Sequence, residues 1–92
     1  MKVFNEKEVS SRTCEIIKFE RKWRDLTQLE MASELGISQS ALSKIENGMT
    51  PTLIPWLKFC SKFDLPSDLP VNLKHYKSWA KRTVERRRPL AN

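Results

Sequence analysis

The stretch "GISQSALSKIENG", residues 36–48, sets a short segment between two glycines. Ser38 fits an N-cap, a helix from Gln39 to Asn47 follows, and Gly48 closes it. Leu42 and Ile45, three apart, point toward a core. That leaves Gln39, Ser40, Ser43, Lys44 and Asn47 along the other side. Any mixture of charges would keep such a side soluble, so amides, hydroxyls and a single lysine in that position ask for a reason.

Upstream, Thr27 and Glu30 make a capping box that opens a helix from Gln28 to Leu35. Gly36 then sits where a helix stop needs a left-handed residue. Only "GIS" separates this helix from the next, and two short helices joined by a Gly-containing turn are the signature of a helix-turn-helix. Ala32 is small enough for a close crossing, and Ile37 plugs the angle. Further out, Asn5 with Glu8 predicts a capping box for a first helix, about Glu6 to Arg24, with Phe4 and Val9 as its hydrophobic staple. Thr52 caps a fourth helix, about Leu53 to Phe63, in which Pro55 is tolerated because it lies in the first turn. Asp64 and Pro66 end it. Beyond Ser67, Leu69, Leu73, Tyr76, Ala80 and Val84 keep helical spacing, with Pro70 able to delay the start to Asn72. Strand signals are absent, so the fold class is all-α.

Ninety-two residues suit one small domain. A chain 39% hydrophobic and 30% charged suits a compact protein with a modest core. No apolar run approaches ~20 residues, which excludes a membrane span. The start, "MKVFNEKEVSS", lacks the apolar core of a secretory signal, and a cytoplasmic protein is expected. Cys14 and Cys60, far apart and outside any CxxC, read as reduced core residues. With His75 they are too few for a metal site, and no cofactor is expected. Nor is an enzyme: there is no nucleophile–His–acid set, no phosphate-cradling Gly loop and no plausible carboxylate pair. The net charge of +6 is unevenly placed. Residues 1–71 carry ten basic and ten acidic side chains, whereas residues 72–92 carry seven basic and one acidic, so the whole excess lies in the tail.

The pattern L-T-Q-x-x-x-A-x-x-x-G-I-S-x-x-x-L-S-x-I-E-N-G, with "MTPTL" and "LKFCSKFDLP" after it, resembles the DNA-binding domain of the XRE (phage repressor and Cro) family. The likeness covers about Ile17 to Leu69. It implies a five-helix repressor-like bundle in which residues 17–69 are the helix-turn-helix domain, preceded by an N-terminal extension of helix one (1–16) and followed by a basic, helical C-terminal extension (70–92). It further implies that Gln39, Ser40, Ser43 and Lys44 enter the major groove, where Gln pairs bidentately with adenine and Lys reaches guanine. Gln28 and Asn47 match phosphate contacts, and Thr50 and Thr52 offer hydroxyls to the same backbone. Arg21 and Glu46 match a partly buried ion pair, in which deleting one partner would strand a charge. Three departures from the family pattern stand out. Met49, Thr50 and Pro51 stand where a basic residue is frequent, Asp25 stands where Gly is common, and Glu20 and Arg24 replace apolar residues, thinning the core face of helix one.

Met31, Leu35, Leu42, Ile45, Leu53, Leu57, Cys60 and Phe63 are expected in the core. Val9, Ile16, Phe19 and Trp23 form a stripe expected mainly outside the bundle, available to a tail helix carrying Leu73, Tyr76, Ala80 and Val84. Trp56 and Trp79 are expected to add aromatic surface. The basic residues Lys81, Arg82, Arg86, Arg87 and Arg88 read either as a solvated charge run or as an arm that grips DNA phosphates. The implied function is a sequence-specific, DNA-binding transcriptional regulator, a homodimeric repressor on a palindromic operator. One form of it is an antitoxin that represses its own operon and meets a toxin, or another protein, through the C-terminal extension. The alternative is a protein-interaction module that keeps the fold without binding DNA.

Overall fold

The computed structural model describes residues 5–72 and Ser78. Four helices and no strand occur among them: α1 (Glu6–Trp23), α2 (Gln28–Leu35), α3 (Gln39–Glu46) and α4 (Leu53–Phe63). The expected fifth helix, with Leu73, Tyr76, Trp79, Ala80 and Val84, lies outside the described residues. So do Phe4, His75 and the basic residues from Lys81 to Arg88. No described helix is long and apolar enough to cross a membrane.

Helix boundaries follow the capping chemistry. Asn5 accepts a hydrogen bond from the Glu8 N–H at 3.0 Å, which is one half of the expected capping box. At α2 both halves are present: Thr27 Oγ1 accepts from the Glu30 N–H, and the Glu30 carboxylate accepts from the Thr27 N–H. Ser38 caps α3 by accepting from the Ala41 N–H. Asn47, expected as the last helical residue, is the C-cap instead. Thr52 holds the N-cap position of α4, but its side chain makes no capping bond.

The turn between α2 and α3 is a Schellman-type stop. Gly36 adopts φ +70°, and the Ile37 N–H reaches back to the Ala32 carbonyl at 3.0 Å. A side chain at Gly36 would meet only the flexible end of Lys58, so the backbone sets the requirement for glycine. Asp25 is also left-handed, at φ +60°. This explains why glycine suits that position and why Asp, one of the few side chains tolerated there, replaces it.

The core is one cluster in which α2 packs on α3 and α4 while α1 packs on α3. Met31, Ala32, Leu35, Leu42, Ile45, Cys60 and Phe63 are buried, and Ile37 packs against them. Cys14 and Cys60 are free, buried thiols. Several expectations fail. Leu53 and Leu57 are exposed (67% and 41%), because α4 turns Trp56, Phe59, Cys60 and Phe63 inward. Lys58, Ser61 and Lys62 keep the opposite side in solvent, and burying the bulky aromatic rings removes more surface from water than burying the leucines. Trp56 is therefore core rather than surface, and its indole N–H donates to the Ser67 carbonyl at 3.0 Å. Ile16 is fully buried beside Ile17, so it leaves the outward stripe, while Phe19 and Trp23 stack on each other at 6.0 Å. Leu69 enters the core from a turn.

Glu20 and Arg24 do not thin the core face; they are buried in it as an ion pair, with the guanidinium 4.7 Å from the centre of the Phe63 ring. Their aliphatic stems make this packing feasible. Glu20 Oε1 is buried and accepts no hydrogen bond.

The caps separate in a measurable way. Thr27→Ala should lower stability by about 1 kcal/mol in urea unfolding. Thr52→Ala, with no capping bond to lose, should change it by less than about 0.5 kcal/mol. Gly36→Ala should cost about 1–2 kcal/mol through its left-handed backbone.

Candidate nucleic-acid interface

The geometry of the reading helix is set at its end by one carboxylate. Glu46, on the last turn of α3, has a side chain only 4% exposed. Arg21 on α1 grips it with two bonds: Nε donates to Oε2 at 2.6 Å and Nη2 donates to Oε1 at 3.0 Å. The third guanidinium nitrogen, Nη1, donates to the Leu26 carbonyl at 2.8 Å. Gln28, first residue of α2, donates its amide to Glu46 Oε1 at 3.1 Å. The Arg21–Glu46 pair thus ties α1, the α1–α2 loop, α2 and α3 together. Burial by itself would raise the Glu46 pKa. The hydrogen bonds from Arg21 and Gln28, with the positive charges of Arg21 and Lys18, outweigh it and leave the pKa below its ordinary 4.5.

The expected ion pair is present, and it positions Gln28 as well. The Gln28 amide nitrogen keeps a second proton after serving Glu46. The capping box consumes the N–H groups of Thr27 and Glu30, while those of Gln28 and Leu29 have no hydrogen bond among the described residues. Together these donors make a compact anion-directed end to α2.

On α3, Gln39, Ser40 and Lys44 are exposed and Ser43 is half-buried. Leu42 and Ile45 on the opposite side are buried. The four residues expected to read bases therefore share the outward side of one helix. Asn47 is exposed but turns its amide back to the Ser43 carbonyl at 2.9 Å, closing the helix. Its second amide proton, its side-chain oxygen and the following backbone are what it can offer outward. Beyond it, Gly48 takes φ +113° and the Met49 N–H returns to the Lys44 carbonyl at 2.9 Å. Thr50 and Thr52 are exposed on the loop that follows. Lys44 is the one cation on this surface between Gln39 and Thr52.

Two features escaped sequence reading. The opening turns of α1 lie along the α3–α4 loop, where Ser10 pairs with the Thr50 hydroxyl and the Cys14 thiol donates to the Met49 carbonyl at 3.4 Å. Between these turns and the end of α3 runs an open groove of about 900 Å³, whose lining carries Glu6, Glu15 and Glu46 against Lys7 and Lys18. That balance gives it no preference for an anion.

Two helices crossing at a glycine turn, with a polar outward side on the second, define a helix-turn-helix protein. Residues 17–69 match the family model described as helix-turn-helix, of the XRE type, and the chain belongs to this family of DNA-binding transcription regulators. Comparison with curated proteins gives no match.

The depressed Glu46 pKa has a definite sign. A carboxylate whose folded pKa lies below its unfolded value stabilises the fold above about pH 4.5, and that contribution is lost as pH falls through the folded pKa. Glu46→Gln strands the Arg21 charge and should cost about 3 kcal/mol at pH 7. Its stability should also fall less steeply below pH 4.5 than that of the wild type. Urea unfolding from pH 7 to pH 3 checks both.

Proposed function

We propose that the protein is a sequence-specific transcriptional repressor that binds duplex DNA as a homodimer on a two-fold related operator. The observation that carries this reading is the outward side of α3. Gln39, Ser40, Ser43 and Lys44 stand there along a helix whose last residue, Glu46, ties it to the donor-rich start of α2. Gln39 and Lys44 supply base-edge donors and acceptors, and the two serines add short hydroxyls. Gln28, Asn47, Thr50 and Thr52 hold the phosphates on either side. The uncapped start of α4 supports the role of Thr52, since neither its hydroxyl nor the first N–H groups of the helix are used up by a cap. A cytoplasmic location accords with such a role.

Leu53, Ile54 and Leu57 form an exposed apolar patch on α4, directly after the phosphate loop. Its exposed area is on the order of 300 Å². A second copy of the chain is its natural occupant, because two recognition helices must sit about 34 Å apart on one face of the duplex. Such a patch is far smaller than the ~800 Å² per partner of a stable dimer. Pairing is therefore weak in solution and completed on DNA.

The basic tail, Lys81 to Arg88, supplies the affinity that a neutral body lacks, by gripping phosphates beyond the reading helix. An antitoxin that represses its own operon fits the same plan, with the C-terminal extension meeting the toxin. The interaction-only alternative is weakened by two particulars: Asp25 answers a backbone need, and Trp56 is buried.

Selection of bound sites from a random duplex pool tests the core of this reading and reports half-site spacing. At the selected site, Gln39→Ala and Lys44→Ala should each lose ~1–3 kcal/mol, whereas Gln28→Ala should weaken all duplexes alike. Equal losses on every sequence for all three would remove base reading from α3. Truncation after Lys81 should leave base preference unchanged and flatten the dependence of log K on log salt by ~0.9 for each phosphate that the tail no longer neutralises.

A further inference from the structure

We infer that the opening turns of α1, residues 6–16, which precede the family match, are the brace of the phosphate-contacting loop, with Ser10 and Cys14 as its positioning residues. The inference rests on reading Thr50 and Thr52 as phosphate contacts. The loop from Asn47 to Thr52 contains no cation. Its grip depends on N–H and O–H donors, whose bonds are directional and lose their worth when the donors must first be ordered.

Cys14 addresses that ordering directly. Its thiol donates to the Met49 carbonyl at 3.4 Å from a site where Cys14 is 5% exposed. Burial pushes the thiol above its ordinary 9.0, so at neutral pH it remains a protonated donor. A trans peptide is planar, with its C=O and N–H on opposite sides. Holding the Met49 carbonyl toward α1 therefore aims the Thr50 N–H away from α1. That N–H has no hydrogen bond among the described residues. Ser10 acts on the same residue: the two hydroxyls pair and either can donate, and in the arrangement with Ser10 as donor the Thr50 proton is left for an acceptor outside the protein. The brace is itself anchored, because Arg12 Nε donates to the Pro70 carbonyl at 2.7 Å on the segment after α4.

The test uses the full chain with Ser10→Ala, Cys14→Ala and Cys14→Ser. Amide exchange followed by NMR without DNA should show Gly48 and Met49, whose N–H groups return to the Ile45 and Lys44 carbonyls, exchanging about threefold to tenfold faster in the two alanine variants, the worth of one hydrogen bond. Amides of α2 and α3 should be unchanged. Cys14→Ser keeps a donor and should restore the slow exchange. Binding by the alanine variants should weaken by a similar factor on every duplex, with the salt slope unchanged because no cation is removed. Unchanged loop exchange overturns the brace. So does a Cys14→Ser variant that behaves like Cys14→Ala, since packing alone would then explain the effect. A wild-type protein that binds no duplex overturns the reading of the loop, while the exchange data still decide the brace.

Discussion

A buried carboxylate organises this molecule. Glu46 receives two bonds from Arg21 and one from Gln28, so the end of α3 is fixed to the last turn of α1 and the start of α2 at once. The cost of burying the charge is real, and its partners outweigh it, as the lowered pKa records. Net stability gained from such a cluster is small compared with an apolar replacement of the same volume. Its value is orientation. A planar guanidinium and a planar carboxylate meet in one geometry only, and that geometry sets the spacing between Gln28 and the outward side of α3. A helix-turn-helix held by apolar packing alone would rock about its turn at Gly36.

Specificity and affinity are divided along the chain. The body up to residue 71 is electrically neutral and presents amides, hydroxyls and one lysine on its reading surface, while every excess positive charge lies beyond it. Non-specific attraction to DNA scales with the number of phosphates neutralised. A neutral body therefore contributes little to it and must rely on donors already in place. This is why the cap at Thr27, the bond from Gln28 to Glu46 and the contacts of Ser10 and Cys14 with the loop matter together. Each orders a donor before any ligand arrives.

Much of the fold was legible because it is written in local chemistry. Thr27 with Glu30, Ser38 and Gly36 act within a few residues of themselves, and α2 begins and ends where they place it. The reading side of α3 was legible for the same reason, since Leu42 and Ile45 fix its phase. What escaped depends on contacts between elements. In α4, Lys58, Ser61 and Lys62 mark the solvent side, but Leu53 and Leu57 competed with the aromatic rings for the interior, and the rings took it. Glu20 and Arg24 looked like charges that thin the core face of helix one, yet a long stem can bury while its charged end finds a partner. The bond between Gln28 and Glu46 spans two helices, and no spacing rule encodes it.

The placement of Ser10 and Cys14 follows from helical continuity. Ser10, Cys14, Ile17 and Arg21 fall at intervals of four, three and four, one line along α1 at about 100° per residue. Arg21 on that line is committed to Glu46, and Ile17 is fully buried. Thr13, Ile16, Glu20 and Arg24 form a neighbouring line that is also buried. With both lines fixed, α1 cannot rotate, and the helix runs unbroken from Glu6 to Trp23. The phase set at Arg21 is therefore carried back to Cys14 and Ser10, outside the matched residues. The same rigid rod that orients the end of the reading helix also decides where the Met49 carbonyl and the Thr50 hydroxyl find their partners. A one-residue insertion between Cys14 and Arg21 would leave every residue type in place and still turn Ser10 and Cys14 about 100° away from the loop. Residue identity alone is then insufficient for the brace; the register of α1 is part of the interface.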